Sequence, residues 1–257
     1  MNTSTETPIV AKSNKVVIPT DKSEIDKRWC AQKFGMIGAA GIGKSEFWSY
    51  GENTLFIQTE AGLNHLSVYK VAIRAWDEFV ELYSQLIQSK NSKQLKFDCI
   101  IIDTIDKLVD LANEESIARG RAKFRTIEIN TVGDIPNGAG WMWATELISN
   151  ALTKLEQLGI CIAYVGHLDT KEVKTPTSSI HKSSISIGGK MGQFLLAWPD
   201  HLLTIQANMQ GNKTVRFIKT LPTQTLDAKS RGGMVQDNML WADNTKENYK
   251  QLRNLFQ

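Results

Sequence analysis

The stretch Gly38-Ala39-Ala40-Gly41-Ile42-Gly43-Lys44-Ser45 decides how this chain is read. Its spacing is G-x-x-x-x-G-K-[ST], it follows a short apolar run at 33–37, and a helix-compatible segment comes after it. Glycines at these positions let the backbone turn so that successive N–H groups face a phosphate, and the start of the next helix adds its positive end. In that geometry Lys44 reaches the β- and γ-phosphates of ATP, and the Ser45 hydroxyl ligates Mg²⁺. An accidental Gly-rich turn is the bland alternative; the strand, loop and helix context argues against it.

Working outward, further strand-like runs at 54–58, 97–102 and 160–165 alternate with helical patterns, the signature of a mainly parallel sheet covered by helices on both faces. Phe97-Asp98-Cys99-Ile100-Ile101-Ile102 is almost continuously apolar, as expected of a strand buried on both sides. Phe79, Leu82, Tyr83, Leu86 and Ile87 recur at helical spacing, as do Leu147, Ile148, Ala151, Leu152 and Leu155. The second of these helices is expected to end at Leu158, with Gly159 as a left-handed cap. Long loops are expected over 119–140 and 169–188, and loops of that length in a compact domain are functional or mobile. Beyond them, 201–206 and 214–218 flank Gln210-Gly211-Asn212 as an antiparallel hairpin, and 245–256 forms a short amphipathic helix. The organisation expected is a flexible leader over 1–22, one α/β domain over 23–242 and a C-terminal helix over 243–257.

Composition excludes several classes. With 257 residues, 42% hydrophobic and 22% charged, the chain is of ordinary globular make-up. No run of about 18 apolar residues exists to cross a membrane, and the Thr-, Ser- and Lys-rich N-terminus lacks the apolar core of a secretory signal. A cytoplasmic protein is expected. Cys30, Cys99 and Cys161 are widely spaced, and the last two sit in apolar runs as reduced core residues. A net charge of +3 is too small to announce a nucleic-acid binder, so any such claim rests on local segments.

Several residues are candidates for chemistry beside the phosphate loop. Asp103 ends the third run and either orients a Mg²⁺-bound water or merely caps the next helix; beside a phosphate loop the metal role is favoured, with Thr104 able to assist. Glu60 follows the second strand, at the sheet edge where ligands bind, and either orients water for attack on the γ-phosphate or is a solvated loop acid. His167, closing the fourth strand, either senses the γ-phosphate or is an ordinary hydrogen-bonded histidine. Lys171, Lys174, His181, Lys182 and Lys190 are interspersed with Ser and Thr. They suit contacts to a nucleic-acid backbone, although Asp169 and Glu172 weaken the field and a solvated loop is the alternative. Base-stacking aromatics are few: Phe124, Trp141 and Trp143.

The order of these features resembles the RecA-like P-loop ATPases of AAA type: phosphate loop, glutamate after the next strand, aspartate ending a later one, polar residue at the following strand end. The resemblance is greatest to the phage-encoded nucleotide-binding branch, through Thr59-Glu60-Ala61-Gly62-Leu63 and Val165-Gly166-His167. Ile187-Gly188-Gly189-Lys190-Met191-Gly192 resembles the helix start after the second DNA loop of RecA-like recombinases. Lys229-Ser230-Arg231 resembles their K-x-R finger, whose cations reach a neighbouring subunit's nucleotide; an exposed basic turn is the alternative. The resemblance implies Mg²⁺-dependent ATP hydrolysis on single-stranded DNA during phage recombination, in annealing or strand exchange. It also implies a homo-oligomer, ring or filament, and a single-strand-binding protein as companion. A nucleotide-dependent switch that loads a helicase or recombinase is the rival reading, and a small-molecule phosphotransferase a weaker one. Gln58 departs from the branch, which often has an acid there, and no separate N-terminal oligomerisation domain is evident.

Overall fold

In the computed structural model, which describes residues 18–174, 179–237, 239–241 and 245–256, the apolar runs become neighbouring strands of a mainly parallel sheet. The chain runs β1 (Lys33–Gly38), α1 (Lys44–Ser49), β2 (Thr54–Gln58), β3 (Tyr69–Ala72), α2 (Trp76–Asn91), β4 (Cys99–Asp103) and α3 (Ile105–Lys123). It continues through α4 (Ala139–Glu156), β5 (Cys161–Lys174), β6 (Ser179–Ile185), α5 (Gly189–Ala197), β7 (His201–Gln210), β8 (Lys213–Lys219), β9 (Lys229–Ser230), β10 (Met239–Trp241) and α6 (Thr245–Asn254). The strand order is β10-β8-β7-β1-β5-β4-β2-β3, with β6 on β5 and β9 on β7. From β7 to β3 every pairing is parallel; β8 and β10 extend the sheet antiparallel. The α/β class read from the sequence, with its C-terminal antiparallel hairpin, is the fold observed.

Strand alternation explains the continuous apolar runs. On β4, Ile100 and Ile102 join a core with Leu108, Ile148, Leu152 and Leu195 from the helices α3, α4 and α5. Cys99 and Ile101 point the other way, into a core with Phe47 and Trp48 of α1 and Tyr249 and Leu252 of α6. Each successive side chain therefore finds an apolar layer, and no polar position is tolerated. The close approach of β1 to β5 demands a residue without a side chain at Gly35, where a Cβ would lie 2.6 Å from the Tyr164 ring. The C-terminal helix belongs to the same body, Thr245 donating its hydroxyl to Glu46 at 3.0 Å.

Four expectations change. The segment 119–140 is not one long loop: α3 runs to Lys123 and α4 begins at Ala139, which puts Trp141 and Trp143 on a helix. The segment 169–188 is not a loop either, because β5 continues past the sheet and pairs antiparallel with β6 from Leu168↔Ile185 to Lys174↔Ser179. Alternating Lys, Thr, Ser and Val with few large apolar residues hid this projecting arm, since neither of its faces needs to be hydrophobic. The third and fourth strands begin one residue or more later than the apolar runs, at Cys99 and Cys161. Finally, β3, β9 and β10 were invisible, being short or polar edge strands. The leader falls, up to residue 17, outside the described residues, as do 175–178 of the second expected loop. Cys99 and Cys161 are buried, free, and register partners across β4 and β5, while Cys30 is half-buried. Among the described residues no helix is long and apolar enough to cross a membrane.

Candidate functional site

Parallel register lines up the chemistry. Gly38, the last residue of β1, pairs with His167 on β5; Asp103, ending β4, pairs with Val165 on β5 and with Gln58, ending β2. β1, β2 and β4 stop at one edge, while β5 passes through it, so His167 does not close its strand but sits where β5 leaves the sheet for the arm. A cleft of about 320 Å³ at this edge is lined by Gly41, Gly43, Lys44, Ser45, Glu60 and Asp103, with His167 beside them. Ligands of open parallel sheets bind at this carboxyl edge.

Gly38, Ala39, Ala40, Gly41, Ile42 and Gly43 wrap from β1 to α1, with Gly41 at φ 70° and Gly43 at φ 101°, left-handed positions that side chains resist. The Lys44 ammonium is folded back into this loop, donating to the carbonyls of Gly38 at 2.9 Å and Ala39 at 2.8 Å. Burial pulls Lys44 below its ordinary range, against the opposing pull of Asp103, Asp106 and Glu60. Burial also pushes the Asp103 carboxyl up, opposed by a hydrogen bond from Ser45 and by the Lys44 charge.

Glu60 and Thr104 are held together. The Thr59 hydroxyl donates to the Thr104 carbonyl and accepts from its N–H, both at 2.8 Å, and the Thr59 N–H donates to the Asp103 carbonyl at 3.0 Å. The Thr104 hydroxyl donates to the Glu60 carboxylate at 3.3 Å, and the Gln58 amide donates to the Glu60 carbonyl at 3.0 Å. Gln58, which departs from the acid often found there in the branch the motifs resemble, thus holds the backbone of Glu60. The Asp103–Thr104 peptide is cis.

The residues present fit Mg²⁺. Ser45 and Asp103 touch, supplying a hydroxyl and a carboxylate, the hard oxygen donors this ion takes. Among the described residues there is no cluster of three or more acidic, His or Cys side chains to cage a metal. An ion that keeps its waters and leans on substrate phosphates needs none.

The other candidates lie apart. Cross-strand pairing puts Lys171 opposite Lys182 on one face of the arm, while Lys174 sits one pleat away, on the face of Glu172 and His181. Lys182 pairs with Asp227 at 2.7 Å and Lys171 with Asp169 at 3.6 Å. Lys190, in the first turn of α5, lines a separate groove of about 1390 Å³ with Trp141, Met142 and Phe194. Lys229 and Arg231 occupy the opposite edge of the sheet, since β9 pairs with the start of β7 and His201 pairs with Phe34 near the start of β1. Phe34 precedes Gly38 by four strand residues, roughly 13 Å. Lys229 donates to the carbonyls of Leu196 at 3.1 Å and Ala197 at 2.7 Å, capping α5, and Arg231 pairs with Asp200 at 3.0 Å. Neither cation serves the phosphate loop of its own chain. Sequence reasoning missed Thr59 and Asp106; the spacing Asp103-Thr104-Ile105-Asp106 was the available signal.

A family model described as an AAA domain matches residues 31–232, from just before β1 to just beyond Arg231. No curated protein matches the chain. Among solved structures it is similar to a KaiC-like protein from the hyperthermophilic archaeon Pyrococcus horikoshii OT3, at 12% identity and a TM-score of 0.45, over 81% of this chain and 82% of that one. The family model spans most of the chain and takes in the phosphate loop, Glu60, Asp103 and His167. The chain belongs to the AAA domain family.

Proposed function

We propose that this protein is a Mg²⁺-dependent ATP hydrolase of RecA-like type that works on single-stranded DNA. The observation that carries hydrolysis is the convergence at one sheet edge of Lys44 in its glycine loop, the Ser45–Asp103 contact, and Glu60 gripped by Thr104. Binding requires Lys44 to leave the carbonyls of Gly38 and Ala39 for the phosphates, exchanging two neutral acceptors for anionic ones, which make the stronger hydrogen bonds. Mg²⁺, when bound by Ser45 and through water by Asp103, supplies charge neutralisation at the phosphates. Glu60 accepts a proton from the attacking water, its carboxylate aimed by the Thr104 hydroxyl.

DNA enters this reading through the arm, whose Lys171 and Lys182 share one face, and through Lys190 at the mouth of the groove. The Lys182–Asp227 pair does not forbid it. A partly exposed ion pair contributes about 0–1 kcal/mol, less than a phosphate contact can replace. The setting in phage recombination, with a single-strand-binding protein nearby, comes from the resemblance of the motifs alone. The test is ATP turnover with Mg²⁺, with and without single-stranded DNA, in the parent and in Lys44→Ala. Turnover that DNA stimulates and Lys44→Ala abolishes is expected. Turnover indifferent to DNA favours the rival switch that loads another protein, and turnover surviving in Lys44→Ala removes the hydrolase reading.

A further inference from the structure

Asp106 is a half-buried acid to which the proposed nucleotide chemistry gives no role. It sits in the first turn of α3, its side chain 17% exposed. One carboxylate oxygen accepts the backbone N–H of His167 at 3.0 Å and lies 3.3 Å from Nδ1 of the same ring. The other accepts the hydroxyl of Ser186, just past the end of β6. Ser186 also donates its N–H to the His167 carbonyl at 2.9 Å, and its own carbonyl accepts from Lys171 at 3.1 Å.

This carboxylate is thus the joint between two parts of the molecule. On one side is His167, which lines the cleft with Lys44, Glu60 and Asp103. On the other are the return of the arm and, through Ser186, the groove leading to α5. We propose that Asp106 is a positioning residue that couples the nucleotide cleft to the β5–β6 arm, so that a displacement of His167 by bound nucleotide is transmitted to Ser186 and the arm. The inference rests on the reading of the cleft as a nucleotide site. The two links leave from its two oxygens, one to each segment. Alanine removes both, whereas an amide can keep both, its oxygen accepting the His167 N–H and its NH₂ donating to the Ser186 hydroxyl, which accepts as well as donates. A residue that only favoured the positive end of α3 would need one such contact and would transmit nothing.

The experiment is backbone hydrogen exchange over 168–174 and 179–187, with and without a non-hydrolysable ATP analogue and Mg²⁺, beside the analogue's affinity by fluorescence. In the parent, nucleotide is expected to change exchange in the arm. In Asp106→Ala and in Ser186→Ala the analogue is expected to bind within about threefold of the parent, the effect of losing a hydrogen bond outside the site, while the arm response disappears. An arm that responds in Asp106→Ala as in the parent overturns the coupling, as does a silent arm in a parent that binds the analogue. Should Asp106→Ala fail to fold, Ser186→Ala decides: a retained response overturns the proposal and a lost one supports it. A parent that binds no nucleotide sinks the nucleotide reading itself, and the coupling with it.

Discussion

Among the described residues the carboxylate of Glu60 accepts one hydrogen bond, from the Thr104 hydroxyl at 3.3 Å, while the backbone beneath is fixed separately through Thr59 and Gln58. These two layers are separable by mutation. Glu60→Gln keeps the shape and is expected to bind ATP while hydrolysis falls about 10²–10⁴-fold, the range for a positioned base. Thr104→Val leaves the backbone bonds to Thr59 intact and removes only the hydroxyl, so hydrolysis is expected to fall about ten- to a hundredfold, the worth of one bond to a charged acceptor. Single-turnover rates at saturating ATP read both; equal losses in the two variants would mean that Thr104 acts otherwise than through Glu60. At this scale the sequence was legible for the placing of Lys44 and Ser45 at the start of α1 and of Asp103 at the end of β4, where they line one cleft. It was mute on Asp106, which meets partners 61 and 80 residues away.

Among the elements, the arm departs most from what the sequence suggested. Lysines that read as one basic stretch are divided by the pleat, Lys171 and Lys182 on the face of Val173 and Ile180, Lys174 on the other. If DNA lies on the first face, replacing Lys171 and Lys182 by Ala weakens binding and lowers the salt slope by about 0.7 per lost contact, while Lys174→Ala does little. Titrations of single-stranded DNA across a salt series check this. An effect of Lys174→Ala equal to that of the pair would place DNA on the opposite face.

For the whole molecule, two predictions concern the sheet edge farthest from the cleft. His201 is fully buried between the Phe34 and Phe256 rings, with Nδ1 3.2 Å from the Ser230 hydroxyl and Nε2 3.3 Å from the Gln32 amide oxygen. Burial pulls it down to about 4. The unfolded chain, with histidine near its ordinary value of about 6.5, then binds more protons than the folded one between those two values. Stability is therefore unaffected above pH 6.5 and falls as pH drops toward 4, by up to about 3 kcal/mol. Denaturant titrations from pH 7 to pH 4 should show that loss, and a folded His201→Gln protein should show a shallower one; identical slopes would assign the acid limb to other groups. Arg231 shares this edge with its side chain 60% exposed, so a finger role is possible only toward a second copy. Arg231→Ala and Lys44→Ala proteins, each nearly inactive alone, are expected to regain ATPase activity on mixing, as intact loops meet intact fingers. No recovery despite demonstrated subunit exchange would confine Arg231 to its pairing with Asp200.

By itself the sequence determined the phosphate loop, the four central strands and the aspartate at the end of one of them. Each is a local property: a run of consecutive residues whose own backbone freedom or continuous apolarity admits one structure. Only the tertiary structure decided that β5 lies between β1 and β4, so that His167 stands beside Gly38, and that residues 169–185 pair as an arm. It alone joined Asp106 to Ser186 and carried Lys229 and Arg231 to the far edge. The physical reason is that strand order and register are set by the two apolar layers closing on either face of the sheet, a balance among residues distant in the chain that no local periodicity records.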